Sequence, residues 1–219
     1  MIDYRGAVDV SDKIAVLKNI LITGASGGIG AALAKAYAEK GVKLFLAARN
    51  EARLAKVVEE CEGRGAIVVA KLIDVTAFEE LQSWIASIDQ KDPIDIVFAN
   101  AGVFNFVVEH MQESFLEMKE TIDVNVTGLL ATVSPLLQPM ISRGSGSIVM
   151  VSSMAALVSL PQCPTYSASK AAAISFAQGL RRKLSKSNVR IHEVVLGYVD
   201  TAMTKEMNVG LKPFMISAD

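Results

Sequence analysis

Histidine, cysteine and tryptophan are scarce in this chain: two, two and one among 219 residues. Cys61 and Cys163 stand far apart and show neither metal-ligand spacing nor a disulfide framework. Both read as reduced thiols of a cytoplasmic protein, and Cys163 reads as an ordinary small loop side chain. His110 and His192 form no ligand cluster with them, so no metal is expected. An excess of one charge is also missing. Lys and Arg number 22 against 23 Asp and Glu, a formal net charge of −1. That balance leaves no global attraction for nucleic acid or an anionic membrane. Residues 1–18 mix charged and apolar types and read as a leader without a signal peptide.

Charge vanishes altogether between Arg143 and Lys170. A membrane span would want about 20 predominantly apolar residues. Here Gly144, Gly146, Pro161, Gln162, Pro164 and many serines interrupt the run. The buried centre of a soluble protein explains it better, and no membrane association is expected.

What is abundant is apolar side chain, 51% of the chain. It is arranged as short strands alternating with amphipathic helices. Strands are expected at 19–23, 42–47, 66–72, 94–99, 147–152 and 189–196. Helices are expected at 28–40, 51–62, 78–88, 115–142 and 167–184. Continuous apolar strands such as IVFA and SIVMV imply burial on both faces. Strands separated by helices imply a single α/β domain over 1–219, with a doubly wound parallel sheet in three α/β/α layers.

Three patterns carry chemistry. The first strand runs into Thr23-Gly24-Ala25-Ser26-Gly27-Gly28-Ile29-Gly30 and then a helix. A helix N-terminus offers unpaired N–H groups and partial positive charge to a pyrophosphate, and glycines allow the sharp turn and close approach. Second, Rossmann folds that bind NAD often place an acidic residue after the second strand. Here Ala48 stands near that position and Arg49 follows. A guanidinium suits a 2′-phosphate, so NADP(H) is preferred. Arg49 stacked on adenine would leave NAD(H) possible. Third, Tyr166 and Lys170 are four apart, one turn along a helix face. A lysine ammonium there is expected to lower the tyrosine pKa and fit it for acid–base work.

The turn TGxxxGxG, the triplet Asn100-Ala101-Gly102, and Ser153 standing 13 residues before the YxxxK pair Tyr166/Lys170 together resemble the short-chain dehydrogenase/reductase family. The resemblance covers about residues 19–201. It implies an oxidoreductase that moves a hydride between a nicotinamide cofactor and a carbonyl or secondary alcohol. On that resemblance Tyr166 transfers the proton, Ser153 polarises the substrate oxygen, Lys170 binds the nicotinamide ribose and tunes Tyr166, and Asn125 supports a proton relay. Gly24, Ser26, Gly28, Ile29 and Gly30 would hold the pyrophosphate. Asp74 and Val75 would contact adenine, with Asp74 alternatively a helix N-cap. Asn100, Ala101 and Gly102 would lie beside the nucleotide, with Asn100 structural. Gly197, Val199 and Thr201 would form the nicotinamide-side loop, together with Tyr166 and Lys170.

Two departures from the family pattern stand out. Leu196-Gly197 replaces the usual Pro-Gly, which leaves that loop less rigid. The sequence stops at Asp219, before the family's usual last edge strand, so the sheet is expected to lack that strand and residues 203–219 to begin a substrate lid. A homodimer through the helices 115–142 and 167–184 is expected, because both are apolar around much of their circumference. The small-molecule substrate is expected to be partly apolar, from Phe104, Phe106, Leu157, Leu160, Met203, Met207 and Phe214 in the flanking loops. A scaffold that keeps the fold without turnover is the alternative, and the intact Ser153, Tyr166 and Lys170 argue against it.

Overall fold

Strand and helix alternate as the apolar pattern requires. The computed structural model describes residues 19–105, 112–201, 204 and 215–218. The leader 1–18, His110, Phe106, Met203, Met207, Phe214 and most of the expected lid lie outside the described residues. The order is β1 (Asn19–Thr23), α1 (Gly28–Tyr37), β2 (Lys43–Ala48), α2 (Glu51–Gly63), β3 (Ile67–Leu72), α3 (Phe78–Lys91) and β4 (Ile96–Ala99). Then come α4 (Phe115–Ile122), a π-helical stretch (Asp123–Thr127), α5 (Gly128–Arg143), β5 (Gly146–Ser153), α6 (Pro164–Lys183) and β6 (Val189–Leu196). Two short strands follow, β7 (Val199–Asp200) and β8 (Ile216–Ser217).

The main sheet has six strands in the order β3-β2-β1-β4-β5-β6, and every pairing is parallel. The chain's progress across the sheet reverses between β1 and β4, so the crevice above their carboxyl ends is where a ligand is expected in such a sheet. β7 and β8 pair with each other in a separate two-stranded ribbon. Among the described residues no strand continues the sheet beyond β6.

Period-two burial on both faces builds the core. On β1, Leu21 enters one layer with Ile85 of α3, Leu136 and Met140 of α5 and Ala177 of α6. Its neighbours Ile20 and Ile22 enter the other layer with Ala34 of α1 and Leu54 and Val57 of α2. Each such large aliphatic side chain, fully buried, contributes roughly 1.5–3 kcal/mol. The sheet is thus sandwiched by α1 and α2 on one side and by α3, α5 and α6 on the other. At the edges the pattern loosens. On β3, Ile67, Val69 and Leu72 are exposed, because the strand has a neighbour on one side only.

Local chemistry sets the element ends. Pro164 opens α6 three residues earlier than the expected 167, since proline suits the first helical turn, where its missing N–H is not needed. α1 stops at Tyr37, not at 40, and the chain turns through Gly41 at φ 93°. The long helix expected at 115–142 exists as α4, the π stretch and α5, which run on without a break. By length and composition it is apolar enough to cross a membrane, yet about half of its most apolar window is buried inside this protein. Its start carries a capping box: the Ser114 hydroxyl accepts from the Glu117 amide, and the Glu117 carboxylate accepts from the Ser114 amide.

Candidate active site

A cleft of about 630 Å³ opens above the carboxyl ends of the strands at the β1/β4 switch, a size within the usual range for cofactor sites. Gly24, Ser26, Gly28, Ile29, Arg49, Asp74, Val75, Asn100, Ala101, Gly102, Tyr166, Lys170, Gly197, Val199 and Thr201 all line it. The floor is the turn after β1. Gly24 and Gly28 hold positive φ angles of 68° and 51°, which a side chain would disfavour. A Cβ on Gly24 would come 2.8 Å from Ala101 Cα, and one on Gly28 would come 3.0 Å from Thr201 Cγ2. α1 begins with no side-chain cap and no acidic residue in its first turn. Its first N–H groups are therefore open to an anion. This backbone cradle fits a dinucleotide pyrophosphate.

Gly30 departs from its expected role. It does not line the cleft; it packs behind the turn, where a Cβ would overlap the Gly24 carbonyl oxygen and approach Asn100 Nδ2 at 2.7 Å. Asn100 holds that turn from the end of β4: its Nδ2 donates to Thr23 O at 3.0 Å, and the Asn100 amide donates to Thr23 Oγ1 at 3.3 Å. Its expected structural role is thus the one its geometry supports. Gly30→Ala is expected to cost about 2 kcal/mol by overpacking, seen as a lower urea midpoint. An unchanged midpoint would contradict this packing account.

At the end of the cleft beside β2, Arg49 Nη1 lies 3.6 Å from Asp74 Oδ2. Burial alone would raise the Asp74 carboxyl. The Thr76 amide and hydroxyl, at 2.9 and 2.8 Å, and the Arg49 guanidinium outweigh it and hold the pKa below the ordinary aspartate value. Asp74 is not the N-cap of α3, which is Ala77; its side chain instead closes the turn through Thr76. Arg53, absent from the sequence expectations, also lines this end. Its amide donates to Asn50 Oδ1, the N-cap of α2.

At the other end, β5 delivers Ser153 and the first turns of α6 deliver Tyr166 and Lys170. Ser153 and Tyr166 line the same end of the cleft, and the Ser153 hydroxyl accepts from the Ala155 amide at 3.2 Å. Lys170 Nζ donates to Val151 O at 3.1 Å and sits 5.7 Å from the Tyr166 ring centroid. Asn125 is 1% exposed and lies in the π-helical stretch, whose wider turn carries it inward. Its Oδ1 accepts from the Val103 amide at 2.8 Å, and its Nδ2 donates to Val103 O at 2.9 Å and Ser169 Oγ at 3.0 Å. A Cβ on Gly102 would lie 3.3 Å from both Asn125 Oδ1 and Lys170 Nζ, so those two atoms flank the same glycine.

The expected lowering of the tyrosine pKa is not what the surroundings of Tyr166 give. Burial pushes the Tyr166 phenol up, the neighbouring Ser153 hydroxyl pulls it partly back, and Cys163 adds to the rise. Lys170 is itself pulled down to about 8 by burial. Below that pH the folded protein must hold a buried ammonium that the unfolded chain solvates freely, so the penalty is present in full. It disappears as the pH rises from about 8 to the ordinary 10.5, so this group makes stability increase with pH across that window. Lys170→Met is expected to flatten that rise, worth about 3 kcal/mol at most, in urea titrations from pH 7 to 10. An unaltered slope would contradict it.

The thiols stay outside this chemistry. Both cysteines are buried and free, and burial pushes the Cys163 thiol up to about 12, which keeps it unreactive. Among the described residues no group of acidic, histidine and cysteine side chains is arranged to hold a metal. Beside the cleft a smaller cavity of about 180 Å³ touches Ser153 and Tyr166 and is walled by Phe104, Met154, Val158 and Leu160. The Phe104 ring meets the Tyr166 ring edge-on, with centroids 4.8 Å apart.

Comparison with known proteins agrees with this architecture. The family profile described as short chain dehydrogenase matches residues 18–212. An uncharacterised oxidoreductase of Staphylococcus saprophyticus is 35% identical over 209 residues, which span 94% of this chain and 86% of that protein. The 3-oxoacyl-[acyl-carrier-protein] reductase of Chlamydia trachomatis is 31% identical over 91% of this chain and 81% of its own. Among solved structures, a short-chain dehydrogenase from Sphingobium yanoikuyae in complex with NADPH superposes with a TM-score of 0.83 at 28% identity, covering 93% of this chain and 80% of that one. A NAD+-bound xylitol dehydrogenase superposes with a TM-score of 0.76 at 28% identity, covering 83% of this chain and 70% of that one.

Proposed function

This chain belongs to the short-chain dehydrogenase family, and from that premise we propose an NADP(H)-dependent oxidoreductase that interconverts a carbonyl group and a secondary alcohol on a small, partly apolar substrate. The observation that carries the proposal is the convergence of Ser153, Tyr166 and Lys170 at one end of a cleft whose other end is lined by Arg49 and Arg53, with Asn125 buried behind the first group against Ser169. When bound, the nicotinamide cofactor supplies or accepts the hydride. The chain's own residues hold the oxygen and the proton. A substrate oxygen in the smaller cavity faces Ser153, whose hydroxyl donates to it as negative charge develops. Tyr166, kept protonated by burial, gives its proton to that oxygen in reduction. Lys170 holds the nicotinamide ribose and supplies the cation that stabilises the phenolate left behind. Asn125, fixed by the Val103 backbone beside Lys170, anchors the path by which the proton is replaced.

Arg49 and Arg53 favour a cofactor with a 2′-phosphate, because nothing acidic stands at Ala48 to hold two ribose hydroxyls. The family alone does not decide this, since the structural relatives include one with NADPH and one with NAD+. Nor does it decide the substrate; the apolar walls of the smaller cavity favour an alkyl or aryl neighbour to the carbonyl. Calorimetric titration tests the cofactor assignment. NADPH is expected to bind about tenfold or more tightly than NADH. The reverse order would overturn the cofactor, and binding of neither would overturn the enzyme.

The dimer expectation is also a proposal. Phe115 and Leu116 at the start of α4 are 77% and 76% exposed, and Ile122 and Leu130 further along are exposed as well. The outer face of α6 carries smaller groups, Ala168, Ala171, Ser175 and Gly179, so its apolar character is weaker than the sequence pattern implied. Large apolar side chains beside a small-residue face favour close packing of a second copy. Light scattering is expected to give a dimer that Leu116→Asp shifts towards monomer. A wild-type monomer would contradict this.

A further inference from the structure

The helix that carries Tyr166 begins without a cap of its own. Its N-cap residue, Cys163, makes no side-chain cap, and no acidic residue stands in its first turn. One orphan N–H of that turn, the Thr165 amide, is instead met from 52 residues away. Glu113 Oε2 accepts from the Thr165 amide at 3.1 Å and from the Thr165 hydroxyl at 2.9 Å. Glu113 is only 8% exposed, and its Oε1 is buried with no hydrogen-bond partner among the described residues. Leaving a carboxylate oxygen in that condition is unfavourable, so a serine or aspartate at position 163 would cap the helix at less cost. A cap from residue 113 does something that a local one would not: it fixes where α6 begins relative to another part of the site.

That other part is the segment between β4 and α4. At its start, Val103 is clamped by Asn125, and Phe104 lies edge-on to the Tyr166 ring. At its end, Glu113 caps α6, while the very next residue, Ser114, caps α4. Adjacent residues thus tie the starts of two helices together, and the segment whose Phe104 walls the smaller cavity is fastened at both ends close to the tyrosine's turn. We propose that Glu113 is a positioning residue for Tyr166: through Thr165 it fixes the first turn of α6, and with it the phenol, against the two ends of the segment 103–114. This rests on Tyr166 being the proton donor assigned above.

Three variants test it in the NADPH-bound protein: Glu113→Ala, Glu113→Gln and Thr165→Val. In Glu113→Ala, amide hydrogen exchange in residues 165–167 is expected to quicken by about tenfold while α1 and the sheet keep their protection. Its kcat with a ketone is expected to fall by about tenfold, the loss a displaced catalytic group gives, with KM for NADPH within about twofold. Glu113→Gln keeps the acceptor oxygen and is expected to return kcat to within about threefold of wild type. Thr165→Val, which removes only the hydroxyl donor, is expected to show a smaller loss in the same direction, and it serves if the alanine variant does not fold. Exchange at 165–167 unchanged by Glu113→Ala, or by Thr165→Val in its place, would overturn the proposal. So would a glutamine variant as impaired as alanine. A wild-type protein that turned over no ketone would overturn the proposed function, and the exchange result would still decide whether Glu113 fixes the helix start.

Discussion

Replacing Tyr166 with phenylalanine is expected to lower kcat by about a thousandfold or more, within the range seen for removing a positioned general acid and the oxygen it holds. The ring keeps its place in that variant, because Phe104 meets it edge-on and α6 is held by Glu113 at Thr165 and by the Leu160 amide, which donates to the Ser167 hydroxyl. Only the hydroxyl beside Ser153 is lost. NADPH affinity is therefore expected to stay within a few-fold. The pairing of the two readouts matters: turnover lost with binding kept locates the tyrosine in the chemical step. Turnover retained within a few-fold would remove Tyr166 from the mechanism. In the oxidation direction the wild-type rate is expected to rise with pH, since burial holds the phenol protonated and the reaction needs it as a base.

Arg49→Ala carries the second large effect. A charge-assisted hydrogen bond to a phosphate contributes about 1.5–3 kcal/mol, so the NADPH Kd is expected to rise by about 10–100-fold. The NADH Kd is expected to move by no more than about threefold, which shrinks or reverses the preference between the two. Stability is not expected to change much. The Arg49–Asp74 pair is mostly exposed and 3.6 Å apart, a type of ion pair that contributes little to folding. Equal losses for both cofactors would show Arg49 stacking on the adenine face common to them. Arg53 bears on the size of the effect, because it lines the same end of the cleft and remains there when Arg49 is gone.

Much of this was legible in the sequence, and the reasons are local. β1 and β6 begin and end where the apolar runs do. The glycine turn, the Asn100 triplet and the Tyr166–Lys170 pair are short motifs whose geometry follows from strand and helix periodicity, and they converge at the switch point. What stayed hidden depends on distance in sequence or on place in the sheet. β3 reads as apolar, yet its side chains are exposed because it is outermost, a fact of strand order rather than of its own residues. Gly30 looks like a third phosphate contact and is a packing glycine, crowded by the Gly24 carbonyl of its own turn and by Asn100, which comes 70 residues later. Arg53 and Glu113 are charged residues among many, and only folding shows that one meets a cofactor cleft and the other a helix start. The lysine was expected to set the tyrosine pKa, but burial of both groups dominates.

The most direct test of the account follows a label. The protein is incubated with an apolar ketone and NADPH carrying deuterium at nicotinamide C4, on each face in turn, and the alcohol is analysed by mass spectrometry. The account predicts one deuterium on the carbinol carbon from one face only, and no labelled alcohol when the Tyr166→Phe protein is used under the same conditions. Alcohol without label from either face, label from both faces, or equal labelling by wild type and Tyr166→Phe, would contradict it.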